Sequence, residues 1–148
     1  MTHEKDPPRF IVFVGGYVFK DGKLLLAQRS YDEGHLPGYW AVPGGKVDIP
    51  DEITYSLLEK TIAREIDEEV GIEISDTMTL LLNNNFVRTD GQNVIAINFA
   101  CEYKSGTPKP LDGTIDVKWV SQAELKDLKI EPTVLKQINL AFDTYNSK

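Results

Sequence analysis

Leu58, Ile62, Ile66 and Val70 recur every four residues, and Gly71 follows the last of them. At 100° per residue they share one apolar stripe, with Ala63 at its edge, so the segment must lay that face against something. The spacing predicts a helix from about Ile53 to Val70, stopped by Gly71. What surrounds it is β-rich. The runs "FIVFVGGYVF" (10–19) and "KLLLAQRS" (23–30) flank Asp21-Gly22, and "MTLLLNNNFVRT" (78–89) and "NVIAINFACEY" (93–103) flank Asp90-Gly91. An Asp-Gly pair between two such runs is a hairpin signal. A short strand is expected within "YWAVPGG" (39–45) and another at "TIDVKWV" (114–120), with two further helices at "SQAELKDL" (121–128) and "PTVLKQINLAFDTY" (132–145). βαβ units are too few for a doubly wound sheet. The expected fold is α/β, a single-domain sandwich of helices around a mixed β-sheet. Residues 1–9 read as a flexible lead and 10–146 as the domain.

The central helix carries four acids in five positions, Glu65, Asp67, Glu68 and Glu69 among residues 65–69. Like charges three and four apart on a helix repel by about 0.2–0.5 kcal/mol per pair. Asp67 points to solvent, whereas the three glutamates border the apolar stripe. Carboxylates there lose hydration and repel, so their pKa values should rise unless a cation is present. Three glutamates at i, i+3 and i+4 can converge on one or two oxygen-loving ions. A solvated acidic face is the bland reading, and for acids on a helix alone it is the commoner one. The glycines of the preceding "VPGGKV" let backbone carbonyls come close, and the order Gly-Gly, helix, Arg-Glu-x-x-Glu-Glu-x-Gly shifts the balance away from that reading.

Charge and cysteine usage narrow the partners. A net charge of −7 argues against a surface built to neutralise a nucleic-acid polymer, but not against a small phosphorylated substrate met through metal ions. Cys101 is the one cysteine, so no intrachain disulfide can form, and a cytoplasmic location is expected. The first ten residues carry no signal-peptide pattern and no run is apolar enough to span a membrane.

"PGGKV" (43–47) followed by "REIDEEVGI" (64–72) resembles the signature of the Nudix hydrolases, the MutT-like family. That pattern runs Gly, five residues, Glu, seven residues, Arg-Glu-aliphatic-x-Glu-Glu-x-Gly-aliphatic. Its second half is met at every fixed position. The first half is not: Gly45 to Arg64 is five residues longer than the family spacing, Ser56 or Asp51 and Glu52 stand where the first glutamate belongs, and the extra residues fall within "DIPDEITYS". At the rim, such an insertion would reshape substrate contacts.

The resemblance implies a hydrolase that splits a diphosphate bond in a nucleoside di- or triphosphate or a nucleoside diphosphate derivative, using Mg²⁺ with Mn²⁺ as a substitute. It implies Glu65, Glu68 and Glu69 as metal ligands with the Gly45 carbonyl, and Arg64 as their orienter. Asp112 is the first candidate for a base, and Asp116 the second. Arg29 matches a phosphate-contacting position, Tyr39, Trp40 and Phe86 could stack on a base, and Arg88 stands where the ADP-ribose branch places a proline. The tyrosine of the dinucleoside polyphosphate branch is missing between Tyr55 and Tyr103. The oxidised-dGTP branch can read its base with an asparagine before a Glu-Pro pair, and Ile130 precedes Glu131-Pro132 here. The alternatives are a ligand-binding sensor of the same fold without turnover, and an isopentenyl-diphosphate-type isomerase. The latter is expected to need a reactive cysteine, while Cys101 reads as a buried strand residue. His3 and His35 show no ligand spacing. The expected assembly is a monomer or homodimer.

Overall fold

A computed structural model describes residues 7–147. Most of the expected flexible lead, including His3, lies outside the described residues. Residues 7–9 are exposed and irregular. In chain order come β1 (Ile11–Lys20), β2 (Lys23–Arg29), β3 (Trp40–Ala41), β4 (Gly44–Lys46), α1 (Leu57–Val70), β5 (Glu73–Val87), β6 (Asn93–Ser105), β7 (Thr114–Val120), a 3₁₀ helix (Gln122–Asp127) and α2 (Pro132–Asn146). The strands form one sheet in the order β3-β2-β1-β6-β5, with β4 also on β1 and β7 on β2. β1 and β6 run parallel and the other pairs antiparallel, which makes the sheet mixed as expected.

Two cores explain the layers. Val14, Val18, Leu25 and Phe99 meet Ile62, Ile66 and Val70 of α1 on one face. Tyr17, Phe19, Leu24 and Leu26 meet Ile138, Ala141 and Phe142 of α2 on the other. β1 and β2 are therefore covered on both sides, which is why they read as near-continuous apolar runs. Gly16 sets the spacing: a Cβ there would come within 2.6 Å of Ile66 Cδ1, so only glycine lets α1 seat this closely.

Several boundaries differ from the sequence expectation. α1 starts at Leu57 rather than Ile53, because Ser56 is left-handed (φ 56°) and helical propagation cannot run through it. β5 begins at Glu73 rather than 78. Ile74 faces Tyr103 and Met78 faces Cys101, so an irregularity in pairing breaks the alternation that would have marked the strand. The helix expected at 121–128 is a short 3₁₀ turn, held by the Ser121 N–H donating to Glu124 Oε1 at 2.7 Å. The α1 stop at Gly71 (φ 70°) and the Asp21-Gly22 turn (φ 52° and 77°) are as read.

Candidate active site

The last two turns of α1 deliver carboxylates to one wall of a cleft of about 370 Å³. Glu65 and Glu69, one turn apart, line it together with Gly44 and Gly45 of β4. The Gly44 N–H donates to Glu69 Oε1 at 3.3 Å. A Cβ on Gly45 would lie 2.6 Å from the Glu65 carboxyl carbon, so glycine is what lets this strand reach the acids. Glu68 lies on the exposed border: Arg64 Nη1 sits 3.1 Å from Glu68 Oε1 and 3.5 Å from Glu65 Oε1. Two glutamates thus converge and the third is turned to the arginine. Among the described residues no three acids, histidines or cysteines are gathered into a ready-made metal cage.

The electrostatics of the pair favour a cation. Burial, a hydrogen bond to Glu65 and repulsion from Glu65 push the Glu69 carboxyl up to about 8, against the lowering effect of the Gly44 N–H and Arg29. A divalent ion relieves both the desolvation and the repulsion. The all-oxygen donor set and the glycine cradle fit a divalent cation.

A further part of the wall is positioned by the end of α1. Its unpaired last-turn carbonyls are taken up by the following loop, as the Lys109 N–H donates to Val70 O and the Leu111 N–H to Glu69 O, both at 3.0 Å. This brings Asp112 and Gly113 to the wall of the same cleft that Glu65 and Glu69 line. Asp116 instead accepts from the Val117 N–H at 2.8 Å and lies outside the walls. Arg29 lines the cleft, its Nε donating to the His35 carbonyl at 2.6 Å and its Nη2 standing 3.7 Å from Glu33.

A NUDIX domain model matches residues 10–140. The chain belongs to the Nudix family. It is a Nudix pyrophosphohydrolase of MutT-like fold. Nucleoside triphosphatase NudI of Escherichia coli (strain K12) is 29% identical over 129 residues, covering 81% of this chain and 88% of that protein. Isopentenyl-diphosphate Delta-isomerase of Brevibacterium linens is 26% identical over 130 residues, 84% of this chain and 69% of that one. The crystal structure of the MutT protein from Methanosarcina mazei Go1 superposes with a TM-score of 0.74 at 29% identity, covering 97% and 99% of the two chains.

Not every residue singled out from the sequence meets in this Nudix cleft. Phe86 lines it and packs edge-on to Phe13 at 6.4 Å. Trp40 does not: β3 turns it into the α2-side core, 6% exposed, with Lys118 Nζ 5.6 Å from its ring centre. Tyr39 lies under Lys129 Nζ at 4.4 Å, also outside the walls. Arg88 stands beyond them as well and pairs with Asp90 at 3.5 Å. Of the polar wall residues left without a role by the sequence reading, which include Glu33 and Thr114, two stand out. His35 has its pKa lowered, first by burial and then by Arg29 and Arg88, and nothing in its spacing marks it. Asn98 is the other, and its signal was visible: one amide inside an apolar strand.

The inserted segment is not at the cleft rim. Ile49 and Pro50 border a separate groove with Phe10, Val12 and Leu57, and Ile49, Ile53 and Tyr55 project into solvent at 95%, 85% and 82% exposure. The expectation that it reshapes substrate contacts is therefore corrected. Shortening residues 49–53 to the family spacing is expected to leave both kcat and KM within roughly twofold, as for surface changes away from a site. Steady-state kinetics of the shortened chain checks this, and a fall in kcat on every substrate would implicate Asp51 or Glu52.

Proposed function

We propose that this chain is a Mg²⁺-dependent hydrolase that cleaves the diphosphate bond of a nucleoside di- or triphosphate, or of a nucleoside diphosphate derivative. The observation that carries the reading is the Glu65–Glu69 pair, converging half-buried on a cleft wall beside Gly44 and Gly45. Such a pair is costly for folding alone and suited to a site that receives cations.

Glu65 and Glu69 would hold the ion with the Gly45 carbonyl, and Glu68 would join them on leaving Arg64. When bound, the ion neutralises the diphosphate and lowers the pKa of water at neutral pH. The chain's own residues do the rest. Asp112, a carboxylate on the same cleft wall, would accept the proton of the attacking water. The water oxygen bonds to phosphorus as the bridging P–O bond breaks, and the leaving phosphate or nucleotide takes the electron pair. Arg29 offers charge to the anionic oxygens, and Arg64 orients Glu65 and Glu68.

Cys101 separates this reading from the isomerase. It is 5% exposed in the core beneath α1, and burial pushes its thiol up to about 12. A thiol so placed is neither ionised nor open to the cleft. Assay of nucleoside triphosphates, nucleoside diphosphate sugars and dinucleotides with Mg²⁺, reading released phosphate and nucleotide, tests the proposal. Metal binding without turnover of any of them would favour the sensor.

Metal binding has its own signature. Mg²⁺ at about a hundred times its Kd is expected to raise the Tm by roughly 5–10 °C, since an ion bound only by the native state stabilises it by mass action. In Glu65→Gln the rise should largely vanish in differential scanning calorimetry. An equal rise there would put the ion elsewhere.

A further inference from the structure

Asn98 is out of keeping with its strand. β6 runs Val94-Ile95-Ala96-Ile97-Asn98-Phe99-Ala100-Cys101, apolar on both sides of the one amide. Asn98 is 6% exposed, and among the described residues only Thr61 is a comparably buried polar side chain. Thr61 is accounted for, because its hydroxyl donates to the Leu57 carbonyl at 2.7 Å. The Asn98 amide makes no side-chain hydrogen bond among the described residues. Nor is it sealed. Among the described residues the buried side-chain atom left without any partner is Asn84 Oδ1, whereas the Asn98 side chain lies on the cleft wall and keeps an opening onto it. A buried, unpaired amide costs stability, and one that faces a cavity is completed by what enters the cavity.

The surroundings define what could enter. Asn98 is paired with Gly15 of β1, and any Cβ on Gly15 would collide with Asn98 Oδ1, so glycine leaves the amide its room. On the same face Phe13 pairs with the small Ala96 and meets the edge of Phe86. Val134 of α2 lies on the wall of the same cleft. Phe13, Phe86, Ala96 and Val134 form an apolar bed beside one amide that both donates and accepts hydrogen bonds, in a cleft that also carries Arg29, Glu33, His35, Asp112 and Thr114. A prenyl chain would leave the amide unpaired, and a sugar would bring more hydroxyls than this bed can satisfy. A planar heterocycle with a donor and an acceptor side by side satisfies both the bed and the amide.

We infer that Asn98 determines the specificity of this cleft and that the substrate carries a nucleobase whose hydrogen-bonding edge pairs with the Asn98 amide. The inference rests on the cleft being the diphosphate hydrolase site proposed above. It deepens that reading by moving base recognition to the sheet floor, away from the approach to α2, where Ile130 offers no polar group.

The test is calorimetric titration of the four nucleoside monophosphates and ribose 5-phosphate into the wild type, Asn98→Leu and Asn98→Asp. The wild type should favour one base over the others by about tenfold or more, the discrimination typical of a bidentate pair. Asn98→Leu should flatten the ranking to within about threefold while binding ribose 5-phosphate unchanged. Asn98→Asp keeps the shape and removes the two N–H donors, so it should reorder the bases, and it carries the test if the leucine variant does not fold. A wild-type ranking that survives in the folded variants overturns the inference, as does wild-type protein that binds ribose 5-phosphate as tightly as the nucleotides. The Mg²⁺ assay keeps the two readings apart. Hydrolysis of a diphosphate with no Asn98-dependent ranking removes the inference alone, whereas an Asn98-dependent ranking with no turnover removes the hydrolase reading alone.

Discussion

Glu69→Gln is expected to lower kcat by roughly a thousandfold, which corresponds to about 4 kcal/mol of lost electrostatic stabilisation in the transition state. Glutamine keeps the side-chain volume and can still accept from the Gly44 N–H, so the fold should survive. It cannot neutralise a cation. The metal-free variant should also melt above the wild type at pH 8, because the substitution removes a desolvated carboxyl beside Glu65. Higher stability with lost activity separates a functional carboxylate from a structural one, whose removal would lower both. Glu68→Gln provides the contrast. Glu68 is exposed and paired with Arg64, and such pairs contribute about 0–1 kcal/mol, so its metal-free Tm should barely move or fall slightly. Turnover of Glu69→Gln near the wild-type rate, measured at saturating substrate and metal, would sink the metal assignment.

The sequence made much of this legible for definite reasons. The α1 stripe at Leu58, Ile62, Ile66 and Val70 must be buried, and its period fixed the face that Glu65 and Glu69 border. The two Asp-Gly turns fixed two hairpins. Other features depend on contacts that no local pattern carries. Ser56 sets the start of α1 by a backbone angle, and the irregular pairing between Ile74 and Met78 hides the start of β5. Tyr39, Trp40 and Phe86 read alike as aromatics near strand ends, yet only Phe86 reaches the cleft. The difference lies in the brief β3 pairing, Ala27 with Ala41 and Gln28 with Trp40, which directs the indole into the core. Glu68 was grouped with its neighbours by spacing, and a side-chain partner, Arg64, decides where it points. The inserted residues were placed at the rim by chain order, but in space they border another groove.

In the metal-free protein the contribution of Glu69 to stability should fall as pH rises from about 4.5 to 8, against the usual trend for carboxylates. The Glu69 carboxyl has its pKa raised in the folded state, from 4.5 to about 8. The native state therefore holds this proton more tightly than the unfolded chain does. The favourable contribution is fully present below pH 4.5 and lost as pH rises through 8, with a slope of at most about 1.4 kcal/mol per pH unit. Mg²⁺ must displace the same proton, so its affinity should climb with pH, approaching tenfold per unit, and level off above about 8. Saturating Mg²⁺ should then flatten the fall in stability, because the ion takes the place of the proton that is lost. Thermal melts of wild type and Glu69→Gln across pH 5–8.5, with chelator and with Mg²⁺, check the linkage. The chelated wild type should decline relative to the variant as pH increases, and the two should run parallel only above pH 8. Parallel curves throughout would mean that Glu69 is already ionised at neutral pH, with the cleft held open to water and the carboxylate pair solvated.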